Sequence, residues 1–208
     1  EEAKKVLVSE MGGTLYTAAK DVKIQVYFNP RIVGAYRLIG YENRLLENKD
    51  FEDDTKDAGD LGAGHTVVAL YELAPADSRS TALAEAKPRQ RRIAEKEQST
   101  LDLPTAGWCE LRLRYKPVEG NKSSLLTFPV TTQVNELGQA STNLRWAAAV
   151  AEFGMLLRGS AHLGTATYPA CRTLAESAQG LDPHGYRAEM LGLLDKAETL
   201  SEKTLGEK

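Results

Sequence analysis

The spacing of apolar residues changes near Asn135, and that change constrains the fold more than any other feature. In several segments between residue 21 and Asn135 apolar residues recur at every second position. In "CELRLRYK" (Cys109–Lys116), for example, Cys, Leu, Leu and Tyr alternate with charged residues. This is the period of a half-buried β-strand. After Asn135 the spacing becomes that of an amphipathic helix. Strands followed by helices predict an α+β fold with an antiparallel sheet rather than a βαβ arrangement.

The β-rich part is predicted to occupy residues 17–135, about two-thirds of the chain. Five strands are expected, over residues 21–28, 34–43, 65–73, 109–116 and 123–130. The turn-forming stretch "VEGNK" joins the last two as a hairpin. An antiparallel sheet or sandwich is therefore expected. Five strands are few for two sheets, which leaves room for an upstream strand to complete the sandwich.

The helical part is predicted to occupy residues 136–208 and to pack on the β-rich part as a bundle of about three helices. The predicted helices run over residues 143–158, from 167 or 168 to 180, and from 183 onward. Ser141 or Thr142 is suited to cap the first helix. Asp182-Pro183 predicts the start of the third, with an N-cap followed by proline at the first helical position.

Composition limits the class of protein. The chain has 208 residues, of which 42% are hydrophobic and 26% charged, as in ordinary globular proteins. The net charge of −3 argues against a dedicated nucleic-acid-binding protein, which usually carries a basic excess. The most apolar run, "WAAAVAEFGMLL", is interrupted by Glu152 and is too short to cross a bilayer. Because the chain begins at Glu1 rather than Met, we interpret it as a mature form or a piece of a longer protein.

Two segments are not part of the predicted strands and helices. Residues 1–16 carry apolar residues at helical spacing up to Gly12-Gly13, and we interpret them as the last helix of an upstream domain or as a linker. Residues 75–107 are polar and are expected to form a mobile loop, with a possible short helix near residues 82–86.

The stretch 51–73, "FEDDTKDAGDLGAGHTVVALYEL", is the first candidate functional segment. It fails the EF-hand pattern, because Thr55 and Leu61 stand where a loop beginning at Asp50 needs glycine and glutamate. Its glycines fail the nucleotide-binding patterns, because they open a strand and not a helix. An irregular calcium site and a solvated connector both stay open, and we assign no metal ligand. The candidate partner-contact residues are Asp53, Asp54, Asp57, Asp60 and His65.

The basic run "KPRQRR" in the polar loop is a second candidate. Its cations suggest contact with an anionic polymer or lipid, but no aromatic residues interleave them as a single-strand binder requires. The candidate anion-binding residues are Lys87, Arg89, Arg91 and Arg92.

No complete catalytic constellation is present in the sequence. The histidines lack partners at zinc-type spacing, and no nucleophile elbow occurs. Cys109 is predicted to be a buried, inert thiol. A disulfide between Cys109 and Cys171 stays open.

Five ordered phrases carry a resemblance to a known family. They are "MGGTLYTAAKDVKIQVYFNP" (11–30), "YRLIGYENRLL" (36–46), "DFEDDTKDAGDLGAGHTVVALYEL" (50–73), "RWAAAVAEFGMLLRGS" (145–160) and "DPHGYRAEML" (182–191). Together they resemble the C-terminal domain of bacterial von Willebrand factor type A proteins of the YfbK type. The resemblance spans nearly the whole chain, except for residues 75–107.

The resemblance implies that a von Willebrand A domain with a metal-dependent ligand site lies upstream and that residues 1–16 are its last helix. The divalent cation would belong to that domain, so no cofactor and no metal ligand are expected in this chain. No enzymatic activity is implied. The implied partners are the upstream A domain and an unidentified protein, without nucleic acid. A cell-envelope location is implied, either periplasmic or through a lipoprotein anchor outside this chain.

Three functions follow as competing hypotheses. We expect a non-catalytic interaction or structural module that accompanies the A domain, with an apolar patch near its N-terminus that needs covering. One alternative is a hydrolase using Asp54, Asp57 and Asp60, which requires a cleft with perturbed carboxylates. The other is an anion- or surface-binding module built on the basic run.

Overall fold

The computed structural model describes residues 16–40, 48–77, 107–131 and 133–206. The chain divides into two compact units, residues 1–132 and 133–208. Antiparallel sheets fill the described part of the first unit, and three α-helices follow in the second, which confirms the predicted α+β class. The helix predicted at residues 1–16, the short helix near 82–86 and the basic run fall almost entirely outside the described residues.

The strands of the first unit form two sheets. A four-stranded sheet has the order β3-β1-β5-β6, and a two-stranded sheet joins β2 to β4. A short helix, α1 (Asn48–Phe51), lies between β2 and β3. The strands are β1 (Thr17–Phe28), β2 (Val33–Ile39), β3 (Gly59–Gly62), β4 (Leu70–Pro75), β5 (Cys109–Lys116) and β6 (Ser124–Val130).

The register of the four-stranded sheet separates its side chains into two faces of opposite character. Ile24 lies opposite Leu113, which lies opposite Leu126, and the next apolar row begins two residues further along. Because side chains alternate along a strand, these rows share one face. We call it the apolar face; its members are Ile24, Val26, Phe28, Cys109, Leu111, Leu113, Leu126, Phe128 and Val130. We call the opposite side of β1 and β5 the charged face; its members are Lys23, Gln25, Tyr27, Glu110, Arg112, Arg114 and Lys116.

The two sheets meet at Phe28, the last residue of β1. Its ring centroid lies 4.4 Å from that of Tyr36 in β2 and 5.3 Å from that of Tyr71 in β4. Phe28 is buried, and complete burial of such a side chain stabilises a fold by about 1.5–3 kcal/mol. Burial also raises the pKa of both tyrosines. The two-stranded sheet therefore covers one end of the apolar face.

Two strand predictions need correction. The strand expected over residues 65–73 begins only at Leu70, because its partner β2 ends at Ile39, which lies opposite Leu70. Residues 65–69 lie outside β4. The glycines near residue 60 do not open that strand; they lie in a separate short strand, β3, whose register against β1 is irregular.

The helices of the second unit begin close to their predicted positions. A 3-10 turn (Leu137–Gln139) precedes α2 (Thr142–Leu157), α3 (Tyr168–Ser177) and α4 (Tyr186–Gly206). The hydroxyl of Ser141 accepts the N–H of Leu144 at 3.2 Å, and the hydroxyl of Thr167 accepts the N–H of Ala170 at 3.3 Å. Both are N-caps of the expected kind.

The third helix starts later than Asp182-Pro183 predicts. Gly185, with φ of 73°, holds the chain in the left-handed region, and α4 begins at Tyr186. Asp182 still serves the helix, because its carboxylate accepts the N–H of Ala188 at 2.9 Å, which lowers its pKa. Asp182 therefore accepts a hydrogen bond from the first turn of α4 although it lies four residues before the helix, and Pro183 is not part of the helix.

The core of the helical unit is formed by Phe153, Cys171 and Leu194, one from each helix. Arg187 also links the helices: it donates to the carbonyls of Ala178 and Gln179 at the end of α3, at 2.9 and 3.0 Å, and stacks over Trp146 of α2. Both cysteines are free thiols, so the disulfide left open by the sequence is not formed. Among the described residues, no helix combines the length and apolar character needed to cross a bilayer.

Candidate functional site

Residues 50–60, here called the acidic segment, connect α1 to β3 and lie against the charged face of the four-stranded sheet. Three cations of that face reach the segment: Lys23 from β1, and Arg114 and Lys116 from β5. The segment is therefore a docked loop and not a connector splayed in solvent.

Lys23 holds the start of the segment through backbone contacts. Its ammonium donates to the carbonyl of Asp50 at 3.0 Å and to that of Asp53 at 2.5 Å. The residue is only 4% exposed. A buried ammonium is stable only when its donors are satisfied, and these two carbonyls satisfy them in part. Lys23 thus fixes the path of the chain over the sheet.

Lys116 and Asp21 form the second link. The Lys116 ammonium lies 2.6 Å from the Asp21 carboxylate and also donates to the carbonyl of Asp54 at 2.9 Å. The same carboxylate accepts the N–H of Ala58 at 3.0 Å. Asp21 has φ of 49°, a left-handed conformation that aspartate tolerates better than most residues. This local irregularity of β1 lets its side chain reach both the strand β5 and the segment.

Asp54 forms the third link. Its carboxylate lies 3.2 Å from the Arg114 guanidinium and accepts the N–H of Ser123 at 3.4 Å. Ser123 just precedes β6, so one aspartate joins the acidic segment to the two ends of the β5–β6 hairpin turn. The segment is consequently tied to β1, to β5 and to the residue that precedes β6.

The other candidate residues, in the segment and just after it, do not converge on one point. Asp53 accepts the N–H and the hydroxyl of Thr55, at 2.8 and 2.6 Å. Asp60 accepts the N–H of Asp21 at 3.1 Å. Asp57 and His65 have exposed side chains. Within the described part of the chain, no three His, Cys, Asp or Glu side chains are grouped so that they could hold a metal ion.

The electrostatics of the segment favour ionised carboxylates. The hydrogen bond from Lys116 and the N–H of Ala58 lower the pKa of Asp21. The hydroxyl of Thr55 and its N–H lower the pKa of Asp53. Hydrogen bonding from Ser123, followed by the Arg114 guanidinium, lowers the pKa of Asp54. In return, the Asp21 carboxylate raises the pKa of Lys116. A general acid needs a raised carboxyl pKa, so these groups suit ion pairing better than proton donation.

Four residues of this site were not among the sequence candidates: Asp21, Lys23, Arg114 and Lys116. In the sequence, Lys23, Arg114 and Lys116 are simply the charged residues of alternating strands. They lie far from the acidic segment along the chain, so the sequence does not indicate that they contact it. Asp21 had one local signal, since an aspartate is unusual at the start of an apolar alternation and is typical of an irregular position. The basic run 87–92 lies outside the described residues.

The apolar face is the second feature of the sheet that bears on function. Away from Phe28 its outer side chains stay open: Ile24 is 53% exposed, Leu126 41% and Phe128 47%. Tyr16, just before β1, is 71% exposed. Large contiguous apolar surfaces of this kind usually mark contact sites.

Comparison with known families accounts for the chain almost completely. A family model described as "Uncharacterized protein YfbK, C-terminal" matches residues 13–200. The chain belongs to this family of YfbK C-terminal domains.

The chain is also similar to a full-length protein that is longer than the matched domain. The chain is 38% identical over 201 residues to "Uncharacterized protein YfbK" of Escherichia coli (strain K12). That alignment covers 97% of this chain and 33% of the relative, so the chain spans about a third of the relative's length. No solved structure matches the chain.

Proposed function

We propose that this chain is a non-catalytic interaction module that packs beside a von Willebrand A domain of the same protein and supports its metal-dependent ligand face. The divalent cation belongs to the A domain, and the protein works in the bacterial cell envelope. Membership of the YfbK C-terminal family supports the proposal, and so does the length of the relative, two-thirds of which lies outside the match.

The observation that carries the proposal is the open part of the apolar face. Ile24 of β1 lies in one row with Leu113 of β5 and Leu126 of β6, and Phe128 of β6 lies in the next row. Ile24, Leu126 and Phe128 are each about half exposed. Isolated exposed apolar residues are ordinary, but adjacent ones on a regular sheet form a surface that another domain stabilises by covering.

The hydrolase alternative has less support. Of the aspartates on which it depends, Asp54 has a lowered pKa and is engaged by Arg114 and Ser123. Asp60 accepts a backbone N–H, and Asp57 is exposed. The anion-binding alternative rests on Lys87, Arg89, Arg91 and Arg92 and stays a prediction; binding to heparin or anionic vesicles that weakens with salt would support it.

The experiment compares this chain with the longer gene product that contains the A domain. Each is immobilised, and retained envelope proteins are identified with Mg²⁺ and with a chelator. We expect only the longer product to capture a partner, and the chelator to release it. If the chain alone captures the same partner regardless of metal, the binding surface lies here, and the acidic segment with His65 is the first place to mutate.

A variant of the longer product tests the surface itself. Ile24→Lys places a charge on the apolar face and is expected to weaken the metal-dependent capture at least several-fold. Val67→Lys is the matched control, because Val67 is equally exposed, at 59%, and lies between β3 and β4. If both variants capture the partner like the unmodified product, the apolar face does not support the A domain.

A further inference from the structure

The two edges of the four-stranded sheet differ in how they are protected. β3 has four residues, contains two glycines and pairs irregularly with β1, so it offers little for another strand to extend. β6 has seven residues and pairs with β5 without a register shift. Within residues 16–40, 48–77, 107–131 and 133–206, no further strand pairs with β6. Its outer edge is therefore a regular template for strand addition.

β6 also lacks most of the devices that keep edge strands apart. Natural edge strands use charged side chains, bulges or short length to prevent pairing. No charged residue occurs from Ser123 through Asn135. Leu125 is 48% exposed on one face of the strand, and Leu126 and Phe128 are exposed on the other. Pro129 is the one protective residue, because it has no N–H to donate to a partner strand.

We propose that β6 pairs antiparallel with β6 of a second copy of this chain, centred on Thr127. Thr127 is the midpoint of Ser124–Val130, so this register pairs all seven residues of both strands. It places Leu126 opposite Phe128 of the second copy, and Leu125 opposite Pro129. The two four-stranded sheets become one continuous sheet, and their apolar faces join.

A second copy suits this edge better than a strand of different sequence for two reasons. Because β6 is uncharged, two copies bring no like charges into opposition. Because Leu125, Leu126, Phe128 and Pro129 are apolar, the two-fold operation matches these four residues with one another on the two faces of the strand. The pairing forms through the edge of the sheet, whereas the proposed contact with an A domain uses the apolar face; Leu126 and Phe128 belong to both surfaces.

The first test is the oligomeric state of the chain, measured by analytical ultracentrifugation from about 1 to several hundred micromolar, because an edge-to-edge interface is small and weak. We expect a reversible monomer–dimer equilibrium. Thr127→Glu should raise the dimer Kd at least about tenfold, because the two glutamates face each other across the axis. Within one copy Thr127 lies opposite Arg112, so this change favours the folded monomer. Thr131→Glu, outside β6, is the matched control and should dimerise normally.

Mixing Thr127→Glu with Thr127→Lys should restore dimers, because opposite charges then meet at the axis. A monomer at every concentration, or dimers that persist in Thr127→Glu, overturns the proposal. Dimers that form only after addition of another protein also overturn it, because they assign the edge to a different strand.

The second test fixes the register by oxidation. Thr127→Cys should form an interchain disulfide, because the two residues lie directly opposite each other. Leu125→Cys should not, because the two copies lie four residues apart, roughly 13 Å along the strands, beyond disulfide reach. The unmodified chain controls for Cys109 and Cys171. Equal crosslinking of the two variants overturns the Thr127-centred register.

Discussion

Two consecutive residues of β1 contrast the two faces of the sheet. Lys23 is a cation and is 4% exposed, whereas its neighbour Ile24 is apolar and is 53% exposed. In a sheet with one covered face, the apolar residue is usually buried and the charged residue exposed. The charged face is covered because the acidic segment of the same chain supplies carbonyls and carboxylates to it. Of the members of the apolar face, Phe28 is the buried one.

This inversion indicates which surface the chain completes by itself and which it leaves for a contact. A charged surface can be neutralised locally when its donors meet matching acceptors, as Lys23, Arg114 and Lys116 do on the acidic segment. An apolar surface has no such specific partners. It is stabilised only when a large area of it is removed from water. The exposed rows of the apolar face are therefore the part of the sheet where contact with another molecule or domain would remove the most apolar surface from water.

The largest effect is expected when the covered cation is removed. Lys23→Ala leaves the carbonyls of Asp50 and Asp53 without their donor and should lower the free energy of unfolding by about 2–3 kcal/mol. Ile24→Ala, one residue away, should cost less than about 1 kcal/mol, because that side chain is already half exposed. Urea denaturation of the two variants measures both values. Equal losses would contradict the contrast between the faces.

A smaller effect is expected from pH. The pKa of Asp21 is lowered in the folded state, so its stabilising contribution is complete above the ordinary carboxyl value of 3.8 and is lost as the pH falls through the lowered pKa. The pKa of Lys116 is raised, so its contribution is complete below 10.5 and is lost as the pH rises through the raised pKa.

Asp21→Asn should therefore flatten the acid limb of the stability profile between about pH 5 and pH 2, a range set by the ordinary carboxyl pKa. Thermal unfolding at a series of pH values measures this. Glu52→Gln, an exposed position in the same segment, should leave the acid limb unchanged. If the acid limb of the Asp21→Asn stability profile is unchanged, the ion pair between Asp21 and Lys116 does not contribute to the loss of stability at low pH.

The smallest effect on stability is expected on the open face. Ile24→Thr keeps a β-branched side chain and should change the free energy of unfolding by no more than about 0.5 kcal/mol. It should still reduce the fluorescence of a bound apolar dye such as ANS, because it interrupts the row with Leu113 and Leu126. Val67→Thr serves as the control outside the sheet. A dye signal equal in both variants would place the apolar site elsewhere.

Local pattern was sufficient for the elements whose limits depend on their own residues. The strand Cys109–Lys116 shows strict alternation and was predicted at its observed bounds. Ser141 was identified as a cap because its hydroxyl can satisfy a free N–H of the first turn. The strand from Leu70 could not be delimited in this way, because its start is set by the end of β2, about thirty residues earlier in the chain.

The same reason limits what could be predicted of the site. The aspartates of the acidic segment were identified, but their partners were not, because Arg114, for example, lies 60 residues from Asp54. The pair of Lys116 with Asp21, 95 residues apart, was missed for the same reason. Such pairs are set by the pairing of β1 with β5. The left-handed conformation of Asp21 arises at the same irregularity of that pairing.

The pairing of β1 with β5 also has a consequence for the order of folding. It joins Phe28 to Cys109 and Lys20 to Lys116. Closing so long a loop is slow compared with forming the β5–β6 hairpin. The contacts of Arg114 and Lys116 with the acidic segment bridge the same long loop, and we expect them to form once β1 and β5 have met. Weakening them should accelerate unfolding while leaving the folding rate nearly unchanged.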